Sequence, residues 1–535
     1  MENPFDNNPI VDFIKKRKKI TLLIVLIGLT ANILTVFIPI SIGKYYQLVF
    51  HMQSRRVRFL KFIPDEWWNT VPKFIVFFFV LIFLRFMFFF WFEFLLRKEA
   101  AIFIKEIKDY LFQHQLQLAY PTYQQQGTGK YLLRYSGDIN SLKNLYIKGT
   151  IRLVIDTLMI ITAFYWLYKL HHAGAIAVII LFIFSWFLLR IIIRKVEFYS
   201  LQKRDKTSAQ LSFVSRTLNS ILNVIALNKQ KVELKKYTKR SEAVKQADIN
   251  YNQWFVLNKA FISFFQYFIL GIVLFLFYRI RDYGEIHQSH LISFILLYLT
   301  ILPVIRRLFM IETVYKLGNI SLKKLKHILN LPKEPIHNGL KMKANQPKIY
   351  FNRVVFYNST PINFKVVNQN LNTLMLPSNV SPMDIILALL RIKEDYKGQI
   401  MLEGKDIRQY SPHSVRRHIA VASTGLPFTG RTVYEAVTRS RSKKTKPVLE
   451  KKYNLLKKKF EMNLNLDDPI GENGLKMNHQ QREFLAFARG ILQNKPILLV
   501  DDFPYLKAHF PEAFNKSLKE TKSTVIQLLP YQENK

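Results

Sequence analysis

Six long apolar runs, at roughly 20–42, 73–96, 149–169, 173–194, 255–280 and 290–311, constrain this chain more than any other feature. A helix needs about 20 mainly apolar residues to cross a bilayer, so each run is long enough to span one. The first could be taken for a secretion signal, because Lys15, Lys16, Arg17, Lys18 and Lys19 precede it. It is too long for that, and no small-residue cleavage site follows. The basic cluster therefore predicts a first membrane helix with a cytoplasmic N-terminus, by the positive-inside rule.

The spacing of the runs sets a rhythm. The outward connections are 43–72, the very short 170–172, and 281–289, whereas the inward stretches 97–148 and 195–254 are long and rich in Lys and Arg. Within them Phe103, Ile104, Ile107, Tyr110, Leu111 and Leu118 recur at helical spacing, as do Leu211, Val214, Leu218 and Ile221. These stretches predict helices that carry the spans far into the cytoplasm. Arg55, Arg56, Arg58 and Lys61 sit in the first outside loop and run against the charge asymmetry, so the rhythm is the stronger signal. Arg306 and Arg307, near the end of the last run, read as arginines snorkelling to the cytoplasmic interface.

The net charge is +41, which calls for an anionic counterpart, nucleic acid or lipid. With six apolar runs in the same chain, and no motif that reads bases, the expected partner is the lipid bilayer and not nucleic acid. The chain has no cysteine, which excludes disulfides, thiolate zinc sites and a cysteine nucleophile. His413, His418 and His479 have no metal-ligand spacing, so no metal site is expected.

Past residue 335 the composition changes. From about 345 short β-branched runs alternate with amphipathic helices: Lys348–Phe356, Asn372–Leu376, Gln399–Leu402, His418–Ala422, Pro496–Val500 and Ser523–Leu529. That alternation predicts an α/β domain with a mostly parallel sheet. Segment 438–462, with Lys443, Lys444, Lys446, Lys451 and Lys452, reads as a helical insertion with solvated basic faces. The expected organisation is a polytopic helical membrane domain, 1–335, followed by an α/β domain, 345–535.

The soluble half carries motifs in a recognisable order. Pro496-Ile-Leu-Leu-Val-Asp501-Asp502 is an apolar strand ending in paired acids, the Walker B pattern. Before it, Gly471 to Leu492 resembles the signature segment of ATP-binding-cassette (ABC) domains and the helix after it; Gly398 to Val421 resembles the stretch before the Q-loop. In the membrane half, Gly127-Thr-Gly-Lys to Asp138 and Leu218 to Leu227 are similar to the two cytoplasmic loops of ABC exporters. The chain thus resembles an exporter-type half-transporter over nearly its whole length.

The resemblance implies ATP with Mg²⁺ as cofactor, and the nucleotide-contacting residues follow from it. A working P-loop needs glycines for close backbone approach to phosphate, a Lys for the β/γ charge and a Ser or Thr hydroxyl for the metal. Here the aligned segment runs Leu376, Pro377, Ser378, Asn379, Val380, Ser381, Pro382, Met383, Asp384. Leu376, Asn379 and Ser381 stand at the glycine positions, Pro382 at the lysine, and Met383 and Asp384 at the hydroxyl pair. A charge-assisted contact contributes about 1.5–3 kcal/mol, so losing the lysine alone removes one to two decades of affinity. Proline also lacks a backbone donor.

The other stations follow suit. Asn478, His479 and Gln480 replace the Ser-Gly-Gly of the signature, with Gln481 retained after them. Thr424 holds the Q-loop glutamine position, Pro530 falls at the switch histidine, and Tyr357 is the aromatic for stacking on adenine. Asp501 keeps the metal-linked acid, and Asp502 replaces the catalytic glutamate with one methylene fewer. Taken alone, the paired acids could equally cap a loop. Glycine totals 18 in 535 residues, about half the usual ~7%, in keeping with lost phosphate-binding glycines.

Two functions follow as expectations. One is the membrane subunit of an exporter-like transporter with impaired hydrolysis, working as a homodimer or as a heterodimer with another half-transporter. The other is a non-transporting membrane pseudo-ATPase that acts as scaffold or regulator. A bacterial inner membrane, with both termini cytoplasmic, is the expected location.

Overall fold

The computed structural model describes residues 8–50, 65–67, 69–126, 131, 134–280, 288–342, 348–367, 370–438 and 446–530. The outside-loop arginines 55, 56 and 58, Lys61, the 281–287 loop, Gly127–Lys130, Lys443 and Lys444 lie outside the described residues. The chain divides into two compact units, one of residues 1–117 and 126–331, the other of 118–125 and 332–535.

In the first unit six helices are long and apolar enough to cross a membrane: Lys18–Val49, Val71–Gln115, Ile139–Leu170, His172–Asn219, Gln230–Arg279 and Leu291–Leu329. Each contains one of the six apolar runs, and four continue well beyond it as the rhythm predicts. The helix Val71–Gln115 shows why a single helix can serve two environments. Its apolar half exposes Phe79, Phe83, Phe86 and Phe90, the surface a lipid solvent wants. From Phe92 on, Leu96, Ala100, Phe103, Ile107 and Leu111 recur every three to four residues, and all are buried.

Among the described residues, the buried acids of this unit, Glu99, Asp138 and Asp156, are each paired. Arg17 reaches the buried Glu99 at 2.6 Å. Asp138, only 3% exposed, accepts from Arg134, Arg204 and Ser321. The two arginines near the end of the last run have partners within the unit: Arg307 grips Asp156 through Nη2 at 2.7 Å and Nε at 2.8 Å, and Arg306 donates to Gln266 at 3.0 Å. Sequence spacing could not show this, because Asp156 is 151 residues away. The stretch Leu145–Ile151 is π-helical, an irregularity the periodicity did not reveal.

The second unit is α/β. Four parallel strands run in the order β3 (Leu371–Met375), β8 (Thr524–Leu529), β7 (Ile497–Val500) and β6 (Ile419–Ala422). A second, antiparallel sheet has the order β2 (Ile362–Lys365), β1 (Ile349–Val355), β4 (Lys397–Leu402) and β5 (Lys405–Asp406). Strands β8, β7 and β6 are buried on both faces, which explains their nearly continuous apolar runs, whereas β3 exposes Thr373 and Met375. In β7, Ile497 and Leu499 join the core with Phe351, Ile385 and Ile386, while Leu498 and Val500 face Phe484, Phe487 and Phe514. Helix Pro382–Leu389 covers the first face and helix His479–Ile491 the second. The latter comes so close to β6 that a Cβ on Gly490 would meet the Ala422 Cβ at 2.5 Å.

The short helix Tyr120–Gln126 begins in the second unit, where Ala119 donates to the Pro332 carbonyl at 3.2 Å and Leu118 bridges Lys333. This is the tip of the first inward stretch. The second tip, helix Ile221–Ala226, belongs to the first unit. The basic insertion is a helix over Lys446–Lys459, with Tyr453 and Leu456 as its buried stripe.

Candidate functional site

The strands of the parallel sheet gather the singled-out residues at their carboxyl ends. That is where α/β sheets bind ligands, because loops and helix N-termini converge there. Leu376 follows β3, Asp501 and Asp502 follow β7, Ser423 and Thr424 follow β6, and Pro530 follows β8.

The loop from Leu376 to Ser381 is a packed turn. Leu376 and Val380 are 2% and 4% exposed and lie in the hydrophobic core. The Leu376 N–H goes to Leu529, that of Val380 to Pro377 at 3.0 Å, and Pro377 has none to give. Ser381 then caps the helix Pro382–Leu389 in a complete capping box. The Asp384 N–H donates to Ser381 Oγ at 3.2 Å, and the Ser381 N–H and hydroxyl donate to Asp384 Oδ2 at 3.1 and 2.7 Å. A carboxylate of the chain itself thus sits at the helix N-terminus, where an anion is stabilised.

Tyr357 closes over this carboxylate. Its hydroxyl donates to Asp384 Oδ1 at 3.3 Å and accepts from Lys393 at 2.6 Å, while the Lys393 ammonium lies 5.2 Å from its ring centroid. The Tyr357 hydrogen bond raises the Lys393 pKa above its ordinary value, against burial and with help from Asp395. Asn379 donates to the Tyr357 carbonyl at 3.1 Å and ties the two loops together. Ser378 is exposed. Met383 reaches across to the loop after β6, where a Cβ on Gly425 would lie 2.4 Å from its methyl group.

The acids after β7 are also engaged. Ser423, fully buried, donates to Asp501 Oδ2 at 2.5 Å, and the Asp502 N–H donates to Asp501 Oδ1 at 2.8 Å. Lys507, on the next helix, holds Asp502 Oδ1 at 2.6 Å. Thr424 is exposed beside Ser423. The buried Arg489 fixes this loop by donating to the carbonyls of Ser423, Leu426 and Pro427.

At the second helix N-terminus, Asn478 caps His479–Ile491 in another complete capping box. The Gln481 N–H donates to Asn478 Oδ1 at 2.8 Å, and the Asn478 N–H donates to Gln481 Oε1 at 3.2 Å. His479 and Gln480 are exposed, with the His479 ring 3.6 Å from the buried Glu483. Pro530 ends β8 and is half-buried.

The structure thus brings Tyr357 and Leu376–Asp384 together, and Asp501 and Asp502 with Ser423. Sequence reasoning missed Ser423, Met383's packing role, Lys393 and Lys507. Lys507 lay within reach of a local signal, five residues after Asp502. Lys393 had none, being 36 residues from the tyrosine it bonds.

The two units define an exporter-type membrane domain joined to a nucleotide-binding-type α/β domain. The sequence model of the ABC transporter transmembrane region matches residues 21–303, and that of the ABC transporter cassette matches residues 384–503. The chain belongs to the ABC transporter family and is an exporter-type half-transporter. Among its relatives is the ATP-dependent lipid A-core flippase of Yersinia pestis bv. Antiqua, 21% identical over 410 residues, which span 75% of this chain and 70% of that one. The flippase of the same description from Photorhabdus laumondii subsp. laumondii is 21% identical over 414 residues, covering 75% and 71%. A solved bacterial Atm1-family ABC exporter with ATP bound superposes with a TM-score of 0.76 at 14% identity, covering 97% of this chain and 91% of that one. That likeness is one of fold.

Proposed function

We propose that this chain is the membrane subunit of a dimeric exporter whose cassette holds ATP poorly and does not turn it over. The observation that carries the reading is that both phosphate-facing helix N-termini, at Ser381 and Asn478, are closed by capping boxes of the chain's own side chains. Cassettes of this family hold each nucleotide between one P-loop and the opposite signature, so both halves of every shared site are affected. The residues present do not fit ATP and Mg²⁺. Asp384 brings negative charge to the phosphate position, Pro382 offers no cation, and Met383 fills the place of the metal-linked hydroxyl. Asp501, the one metal-linked acid retained, is bonded to Ser423.

The dimer is supported by the second inward tip, where Ile221, Leu222, Ile225 and Leu227 are all exposed, from 44% to 79%. Apolar side chains at a cytoplasmic tip need a partner surface. The domain boundary at 335–345, cytoplasmic termini and a bacterial inner membrane belong to the same reading. The relatives' description as lipid A-core flippases suits an amphipathic cargo.

The deciding experiment is purification from native membranes with crosslinking at the second tip, combined with an Mg²⁺-ATPase assay. A dimer crosslinked through Leu222→Cys, with turnover at background, supports the proposal. A monomer, or turnover abolished by Asp502→Asn, overturns it. The scaffold reading draws on the same self-closed loop, which needs no nucleotide to hold its shape. Reconstituted vesicles that move no labelled amphiphile, even with any co-purifying half-transporter present, would favour it.

A further inference from the structure

The basic helix Lys446–Lys459 forms one wall of a groove that the ABC reading does not use. The groove encloses about 500 Å³ between this helix, the end of the helix His479–Ile491 and the helix Pro511–Lys519. Leu455, Leu456, Ile491 and Leu492 line it with apolar surface, and Leu455 is 65% exposed. Lys452, Lys459 and Lys522 stand around it against a single acid, Glu520, which Lys459 already pairs. Lys452 and Lys522 have no carboxylate partner among the described residues.

A second observation points to an occupant. Ser517 lines the groove, is only 4% exposed, and among the described residues its Oγ has no hydrogen-bond partner. A buried hydroxyl left unpaired is destabilising, and a ligand that supplies the missing bond removes that cost.

We propose that this groove is a docking site for an acidic, apolar peptide segment of a partner protein. Apolar side chains of the segment would cover Leu455, Ile491 and Leu492, its carboxylates would pair with Lys452 and Lys522, and a backbone group would bond Ser517. Charge complementarity selects the partner's sign, and the open, elongated shape suits an extended or helical segment. None of the residues that line the groove is among those aligned with nucleotide chemistry, and the proposal stands whether or not ATP is hydrolysed.

The test uses the full chain in phosphatidylcholine nanodiscs and a short fluorescein-labelled peptide of alternating Glu and Leu, read by fluorescence anisotropy. Saturable binding is expected. Lys452→Glu and Lys522→Glu should each weaken it about tenfold, the loss of one charge-assisted contact. Leu455→Ser and Ser517→Ala should also weaken it without lowering the melting temperature, since one side chain is exposed and the other unpaired. Lys405→Glu, at an exposed lysine in β5, controls for the overall charge and should leave binding unchanged. Equal weakening by Lys405→Glu, or none by Lys452→Glu and Lys522→Glu, overturns the proposal. So does displacement of the peptide by phosphatidylglycerol vesicles whose own binding is lost in Lys452→Glu, which would assign the groove to a lipid surface.

Discussion

The Lys507 ammonium stands 2.6 Å from Asp502 Oδ1 and neutralises the acid at the place of the family's catalytic glutamate. On the function proposed above, Asp502 is a methylene shorter than that glutamate, and other residues stand in place of the P-loop lysine, its hydroxyl neighbour, the signature glycines and the switch histidine. All of these act on one γ-phosphate transition state, so the losses compound. The purified protein should show no Mg²⁺-ATPase above background, and Asp502→Asn should leave that rate unchanged. A phosphate-release assay on both proteins checks it.

Restoring one residue should not restore the site. Pro382→Lys adds the missing cation, but Leu376 and Val380 remain in the core and Asp384 still occupies the helix N-terminus. Nucleotide affinity, measured with a fluorescent ATP analogue, should stay near that of the unaltered chain. Asp384→Ala breaks the capping box and should destabilise the soluble domain by about 1 kcal/mol, seen as a lower melting temperature.

The Arg307–Asp156 pair supplies a prediction for the membrane domain. Asp156 is buried and Arg307 partly exposed, at 5% and 42% of their side-chain surfaces. Arg307→Met alone leaves a buried carboxylate without its partner and should cost about 3 kcal/mol. The double variant Arg307→Met/Asp156→Leu should recover most of that loss. Thermal unfolding in detergent of the two single variants and the double one measures the coupling.

Topology can be mapped cleanly because the chain has no cysteine of its own. An impermeant thiol reagent added from outside should label His172→Cys, in the exposed part of the 170–172 connection, and Glu285→Cys, and should not reach Tyr120→Cys or Asn228→Cys. The reverse pattern would invert the orientation.

Much of this protein was legible in its residues. The six spans follow from length and apolarity, which a bilayer reads without regard to tertiary context. The sheet's continuous apolar strands were visible because both of their faces are buried. β2 and β5 were missed: they are short and half-exposed, so no period stood out.

What the sequence alone offers at the candidate site is an alignment of residues with the family's phosphate-binding stations, because motif order depends on chain order. Only the tertiary structure decided what those residues do. That Asp384 meets Tyr357, that Lys393 bonds that tyrosine, and that Ser423 takes Asp501 depend on loops meeting at the ends of different strands. Hydrogen bonds and ion pairs act over about 3 Å in space, whatever the separation along the chain. The four strands β3, β8, β7 and β6 are out of sequence order, and it is their parallel pairing that brings residues 376, 530, 501 and 423 to the same ends of neighbouring strands.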